Sequence, residues 1–136
     1  MSIAEKENRL IDRYTIIEDR HERLGAIIGG GKKWHGLSEA EKTDDKLVPG
    51  CSSRVWLVGE IAGGVCRFRM DADSPLVKGL AALMCELFDG EAPAEIVAAQ
   101  PRLLEALGLN RMLSPTRLNG AAQIQATIQR FAAAHA

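Results

Sequence analysis

The sequence predicts an α+β fold in which a small antiparallel β-sheet of about three strands packs against N- and C-terminal helices. Both ends of the chain carry apolar residues at the three-to-four spacing of amphipathic helices. Between them lie two short stretches rich in β-branched and aromatic residues, joined by Ala62-Gly63-Gly64, which is typical of a β-hairpin. The length of 136 residues, without a repeat or linker, predicts one domain spanning residues 1–136.

The first predicted element is a helix from about Ile3 to Ile28. Its start is indicated by Ser2 and Glu5, which have the spacing of a capping box. We expect the helix to end at the three glycines 29–31, because glycine destabilises a helix interior. The polar stretch from Lys32 to Lys46 then predicts a loop.

The predicted sheet follows the Pro49-Gly50 turn. Arg54 to Ile61 and Val65 to Met70 have strand composition, and in the second stretch every other residue from Cys66 onward is apolar, so one face is expected to be buried. Lys46 to Val48 is expected to add a short third strand.

The rest of the chain predicts helices that begin with proline. Ser74 can cap a helix whose first residue is Pro75 and whose apolar stripe runs from Leu76 to Phe88. Three more helices are expected: Pro93 to Ala99, Pro101 to Leu107, and a last one that starts at Ser114-Pro115.

The overall composition excludes some classes of function. Lys and Arg total 17 and Asp and Glu total 18, giving a net charge of −1, so a dedicated nucleic-acid-binding protein is not expected. The sequence contains no run of about 18 apolar residues, so no membrane span is expected. The charged N-terminus does not resemble a signal peptide, and the expected location is the cytoplasm.

The chain has three cysteines: Cys51, Cys66 and Cys85. Their odd number and the lack of a CxxC pair argue against a disulfide framework and against a zinc site. Free thiols favour a reducing compartment. Cys66 and Cys85 lie within apolar patterns, which predicts that both are small residues of the core.

Cys51 is different, because it lies on a turn between Pro49-Gly50 and a pair of serines. A turn gives a thiol access to solvent, and Arg54 places a cation three residues away that would favour the thiolate. The residues alone leave two interpretations open: a reactive thiol, or a turn residue without a chemical role.

Other candidate groups have simpler explanations. No histidine lies in a catalytic motif, and Gly29 to Lys32 follows a helix rather than a strand, unlike a phosphate-binding loop. Asp71 and Asp73 fit a turn before a helix. Three cations would lower the pKa of Cys51 if they face its turn: Lys78, Arg111 and Arg117.

Three segments in this order resemble the SufE family: Val48-Pro49-Gly50-Cys51-Ser52-Ser53-Arg54-Val55-Trp56, Asp71-Ala72-Asp73-Ser74-Pro75-Leu76-Val77-Lys78-Gly79-Leu80 and Leu113-Ser114-Pro115-Thr116-Arg117-Leu118-Asn119-Gly120. The similarity extends from about Lys46 to Phe131. The chain departs from the family between Ile27 and His35, where a glycine-rich stretch with Lys-Lys-Trp replaces the usual Leu-Pro.

The resemblance implies a fold like that of SufE and the NifU-type scaffolds. It also implies that Cys51 accepts a persulfide sulfur from a cysteine desulfurase (SufS- or CsdA-like) and passes it to an iron–sulfur scaffold complex. The protein would also stimulate the desulfurase. The pyridoxal phosphate would belong to the desulfurase, and this chain would need no cofactor or metal. Gly50 would give the turn its freedom to move, and Arg117 and Asp73 are expected near it.

The chain is therefore interpreted as a sulfur-transfer partner rather than as a stand-alone enzyme. One alternative is a non-catalytic adaptor that modulates a desulfurase by shape alone, for which Cys51 would be dispensable. Another is a redox-sensing thiol protein, which would be favoured by a second cysteine able to reach Cys51. Cys66 is expected to face the core, which makes it a poor candidate for that role.

Overall fold

The computed structural model describes residues 2–136 and has the predicted α+β architecture. Two N-terminal helices, α1 (Ile3–Thr15) and α2 (Arg20–Lys33), precede a hairpin of β1 (Val55–Ala62) and β2 (Val65–Ala72). The long buried helix α3 (Pro75–Phe88) follows. Four further helices complete the chain: α4 (Pro93–Ala98), α5 (Leu103–Ala106), α6 (Leu109–Met112) and α7 (Pro115–Ala134).

The predicted single N-terminal helix is in fact two helices. The chain leaves α1 after Thr15, and α2 begins after Asp19, whose side chain accepts a hydrogen bond from the backbone N–H of Glu22 at 3.0 Å. The apolar spacing continues across this break and favours one long helix, although Asp19 followed by Glu22 three residues later is a helix-start signal. The expected end at residues 29–31 is also wrong, because α2 continues to Lys33.

Close contact between helices α2 and α3 explains why a glycine is found at position 31 of α2. A Cβ atom on Gly31 would lie 2.7 Å from the backbone nitrogen of Gly79, and one on Gly79 would lie 2.9 Å from the carbonyl oxygen of Ile27. The two backbones therefore touch where any side chain would collide. The packing of α2 on α3 outweighs the low helix propensity of glycine.

The hairpin has the predicted order, with strands one to two residues longer or shifted. β1 and β2 pair antiparallel through a two-residue turn, Gly63-Gly64, whose φ angles of 60° and 80° favour residues without a Cβ. The predicted buried face is confirmed: Cys66, Phe68 and Met70 are all at most 1% exposed.

The predicted third strand is wrong. Leu47 forms only an isolated bridge with Trp56, and the N–H of Val48 donates to the carbonyl of Val55 at 2.8 Å. A 3₁₀ turn at Asp44–Lys46 precedes this bridge, and Pro49, which has no N–H to donate, follows it, so no longer ladder can form. The sheet described by the structure has two strands.

Helix α3 is the central element of the core. The Ser74 side chain caps it by accepting from the N–H of Val77 at 3.4 Å, as the sequence predicts. Its neighbours are α2, β2 and α7. The predicted helix at Pro101 to Leu107 is shorter, because α5 starts at Leu103, and α6 was not predicted. Within residues 2–136, no helix combines the length and low polarity needed to cross a bilayer.

Candidate functional site

Cys51 lies on the turn that connects the Leu47 bridge to strand β1. Gly50 precedes it with a φ of 78°, a left-handed conformation that favours glycine. The turn rests on the first half of α7, and the Cys51 thiol donates a weak hydrogen bond to the carbonyl oxygen of Gly120, with the sulfur 3.6 Å away. The side chain is half-buried, and the structure shows a free thiol.

Helix α7 holds this turn through two further hydrogen bonds. The Asn119 Nδ2 atom donates to the carbonyl oxygen of Gly50 at 3.0 Å. One guanidinium nitrogen of Arg117 donates to Ser53 Oγ, also at 3.0 Å. Together with the thiol contact, these bonds fix the turn on both sides of Cys51. Since all three involve exposed or part-buried groups, each can be replaced by water when the turn moves away.

The thiol approaches the backbone of α7 closely at Gly120. A Cβ atom on Gly120 would lie 3.9 Å from Cys51 Sγ, an ordinary van der Waals contact that leaves room for a methyl group. On the other side, a Cβ on Gly50 would lie 3.1 Å from the side chain of Gln123. Of these two glycines, Gly50 is therefore the one at which a side chain would disturb the packing of the turn on α7, and its φ of 78° also favours glycine.

The cleft around the thiol is small and mostly apolar. Its walls include Val77 and Leu80 from α3 and Ala121 from α7, and its volume of about 10 Å³ leaves room for hardly more than one water molecule. Burial raises the pKa of the Cys51 thiol above its ordinary value. In this arrangement the thiol is protonated at neutral pH and is a poor nucleophile.

The expectation that nearby cations lower this pKa is therefore wrong for the resting turn. Arg117 does line the cleft, but its side chain is bonded to Ser53. Lys78 pairs with Asp71 at 3.2 Å, and Arg111 lies in a separate groove beside α5 and α6. The desolvation of the thiol is the effect that determines its protonation state.

Of the residues expected to support Cys51, the structure brings two to the turn. Gly50 and Arg117 are in direct contact with it. Asp73 instead pairs with Arg54 at 2.9 Å on the surface, and it is not among the cleft-lining residues within the described chain. Its backbone N–H donates to the carbonyl of Arg54 at 3.0 Å, so Asp73 fixes the end of the turn rather than the thiol.

Sequence reasoning missed the roles of Asn119 and Gly120. Both contact the turn across a separation of 69 residues, which no local pattern can indicate. The signal was present in the third family-like segment, where these two residues directly follow Arg117 and Leu118.

The other two thiols behave as predicted for core residues. Cys66 and Cys85 are both 0% exposed, and burial raises the pKa of each. In the part of the chain that the structure describes, no group of three or more His, Cys, Asp or Glu side chains is placed to hold a metal ion.

Comparison with known proteins indicates the family of the chain. A family model described as "SufE: Fe-S metabolism associated domain" matches residues 8–132. An uncharacterized SufE-like protein of Synechocystis is 34% identical over 112 residues, covering 82% of this chain and 70% of the relative. A second uncharacterized SufE-like protein, from Rhizobium etli, is 31% identical over 118 residues, with 83% and 80% covered.

A solved structure supports the same fold. A hypothetical protein from Thermus thermophilus, determined in solution, superimposes with a TM-score of 0.78 at 19% identity and covers 95% of this chain and 94% of its own. Since the family model spans the Cys51 turn, α3 and the part of α7 that holds the turn, the chain belongs to the SufE family and has a role in iron–sulfur metabolism.

Proposed function

We propose that this protein is a sulfur carrier. Cys51 accepts a persulfide sulfur from a cysteine desulfurase and delivers it to an iron–sulfur scaffold complex, and the protein stimulates the desulfurase. The observation that carries the proposal is a free thiol on a turn that contains Gly50 in a left-handed conformation and is attached to α7 by three hydrogen bonds. The role of the family in iron–sulfur metabolism supports it.

The chemical step is a thiol–persulfide exchange. The thiolate of Cys51 attacks the outer sulfur of a persulfide on the desulfurase cysteine. The bond between the two donor sulfurs breaks, a new S–S bond forms at Cys51, and the desulfurase cysteine leaves as a thiolate. The proton lost by Cys51 goes to solvent or to the leaving thiolate. No external oxidant or reductant is needed, because one S–S bond breaks and one forms, and the total oxidation state of the two cysteines and the transferred sulfur is unchanged.

The resting turn is not ready for this step. Burial raises the pKa of the Cys51 thiol and so lowers its thiolate fraction further, and the cleft of about 10 Å³ is too small to admit a second cysteine. The turn must therefore move away from α7, after which the pKa of the thiol returns toward its ordinary value. Breaking three hydrogen bonds that contribute about 1 kcal/mol each is a cost that binding to a partner can offset.

The same closed arrangement protects the cysteine between transfers. A protonated and half-buried thiol reacts slowly with peroxides, which limits irreversible oxidation. Under this proposal the chain itself uses no cofactor or metal, and the pyridoxal phosphate belongs to the desulfurase. Since the carrier requires a free thiol, it would work in a reducing compartment such as the cytoplasm.

The proposal is tested by incubating the purified protein with a cysteine desulfurase and L-cysteine. We expect mass spectrometry of tryptic peptides to find an added sulfur atom on the peptide of Cys51. The Cys51→Ser variant should lose both the added sulfur and the stimulation of the desulfurase. Ser52→Ala is the matched control, because it changes the neighbouring turn residue and leaves the thiol in place.

Two results would contradict the carrier function. Added sulfur on Cys66 or Cys85 with none on Cys51 would show that the turn thiol is not the acceptor. Full stimulation of the desulfurase by Cys51→Ser would instead support a non-catalytic adaptor that acts by shape.

A further inference from the structure

A groove rich in arginine lies between the start of α2 and helices α5 and α6. It has a volume of about 510 Å³, and four guanidinium groups line it: Arg20, Arg23, Arg102 and Arg111. Within the described chain, Glu105 is the only carboxylate among the lining residues. The whole protein carries a net charge of −1, so the groove is a local concentration of positive charge on a nearly neutral molecule.

Arg23 is held rigidly in this groove without a carboxylate partner. Its Nε atom donates to the carbonyl oxygens of Tyr14 and Ile17 at 3.1 and 3.0 Å, and a terminal nitrogen donates to the carbonyl oxygen of Leu107 at 3.1 Å. Backbone carbonyls orient a guanidinium group and leave its net charge in place. The remaining N–H groups of this half-buried side chain are therefore preorganised for an anion.

The side chains of the other three arginines make few bonds to the rest of the described protein. The side chain of Arg102 donates to Asn8 Oδ1 at 2.9 Å and lies 4.0 Å from a Glu7 carboxylate oxygen, the outer limit of an ion pair. Among residues 2–136, neither Arg20 nor Arg111 has a side-chain hydrogen bond or an ion pair, and both are exposed.

We propose that this groove binds an acidic segment of a partner protein through its carboxylates. The planar fork of a guanidinium group matches a carboxylate with two parallel hydrogen bonds, so four such groups can hold several Asp or Glu side chains. No aromatic ring lies among its lining residues in the described structure, so the base stacking used for single-stranded nucleic acid has no platform.

This surface is distinct from the proposed sulfur site. No residue that lines the arginine groove also lines the Cys51 cleft. Binding of an acidic segment is an activity separate from sulfur transfer, because the groove would recognise its occupant by charge, without the thiol. A failure of one proposal therefore leaves the other intact.

The test uses the full-length protein and a fluorescein-labelled peptide of ten glutamates, followed by fluorescence anisotropy at low and at physiological salt. We expect binding that weakens as salt screens the open groove. The double variant Arg20→Gln with Arg111→Gln should bind about tenfold more weakly, since it removes two charge-assisted contacts. Neither side chain makes a bond in the structure, so the fold should be retained, which circular dichroism checks.

The matched control is Lys32→Gln with Arg130→Gln, which removes the same charge from exposed positions outside the groove. We expect the affinity of this control for the peptide to stay within about twofold of that of the original protein, because exposed charges outside the groove do not touch the peptide. Equal weakening in both double variants, or no peptide binding at all, would overturn the proposal. Displacement of the peptide by inorganic pyrophosphate or duplex DNA at lower concentration than by unlabelled peptide would also overturn it, in favour of a phosphate site.

Discussion

The Cys51 sulfur lies 3.6 Å from the carbonyl oxygen of Gly120, so the candidate reactive thiol is bonded to the backbone of a helix 69 positions further along the chain. This contact links the reactivity of the thiol to the position of its turn. With the turn on α7, burial raises the pKa of the thiol, and movement of the turn away from α7 would remove that desolvation. The packing of the turn thus affects the protonation equilibrium of the thiol.

The pH dependence of Cys51 alkylation should show the raised pKa directly. Iodoacetamide reacts with the thiolate, and burial disfavours that form in the folded protein. We expect the alkylation rate to rise with pH and to reach half its maximum above the value of about 8.5 that is typical of free cysteine. Peptide mass spectrometry at a series of pH values measures it, with a short cysteine peptide as reference. A midpoint at or below that of the reference would contradict the closed turn.

Removing the side chain of Asn119 should release the turn. Asn119→Ala loses the hydrogen bond to the carbonyl of Gly50, which lowers the free energy of unfolding by about 1 kcal/mol and increases the time that the turn spends open. Alkylation of Cys51 at pH 7 should therefore become several-fold faster. Asn110→Ala is the matched control, because it makes the same change on an exposed position of α6. Similar rates for the two variants would show that Asn119 does not restrain the turn.

Two neighbouring glycines of α2 should respond to alanine in opposite directions. At Gly31 a Cβ atom would lie 2.7 Å from the backbone of Gly79, so Gly31→Ala should lower the free energy of unfolding by about 1–3 kcal/mol. At Gly29 nothing lies within 4 Å, so Gly29→Ala should raise it by about 0.5–1 kcal/mol, the helix propensity difference. Urea denaturation measures both. Stabilisation by Gly31→Ala would refute the close crossing of α2 and α3.

The features that the sequence predicts correctly are those determined by local chemistry. The Ser74 cap before Pro75 and the alternating buried face from Cys66 to Met70 follow from side-chain patterns a few residues long. The continuation of α2 through the three glycines does not follow from such patterns, because Gly31 packs against the backbone of Gly79, almost fifty positions away. Tertiary packing there overrides a local preference of about 1 kcal/mol per glycine.

The candidate site also has one feature that local sequence predicts and one that depends on tertiary packing. The turn that carries Cys51 follows from Pro49-Gly50 and the flanking serines. The raised pKa of the thiol cannot be predicted in this way, because it results from burial against residues of α3 and α7 that are distant in the sequence. Nearby positive charge in the sequence therefore suggested a lowered pKa, whereas burial produces a raised one.

The core thiol of Cys85 should make the protein less stable at alkaline pH. Full burial raises its pKa far above the usual range, whereas in the unfolded chain it ionises near pH 8.5. A raised folded-state pKa means that this contribution to stability is complete below about pH 8.5 and is lost as pH rises, by up to about 1.4 kcal/mol per pH unit. Urea denaturation at pH 7, 9 and 10 measures the loss.

The Cys85→Ala variant isolates this effect from other groups that titrate at high pH. It should reduce the free energy of unfolding at pH 7 by about 1 kcal/mol, because it leaves a small cavity in α3. Between pH 8.5 and 10 its stability should fall less steeply than that of the original protein, so the two stability curves should converge. Parallel curves would show that Cys85 ionises equally well in the folded and unfolded chains, which is incompatible with its complete burial.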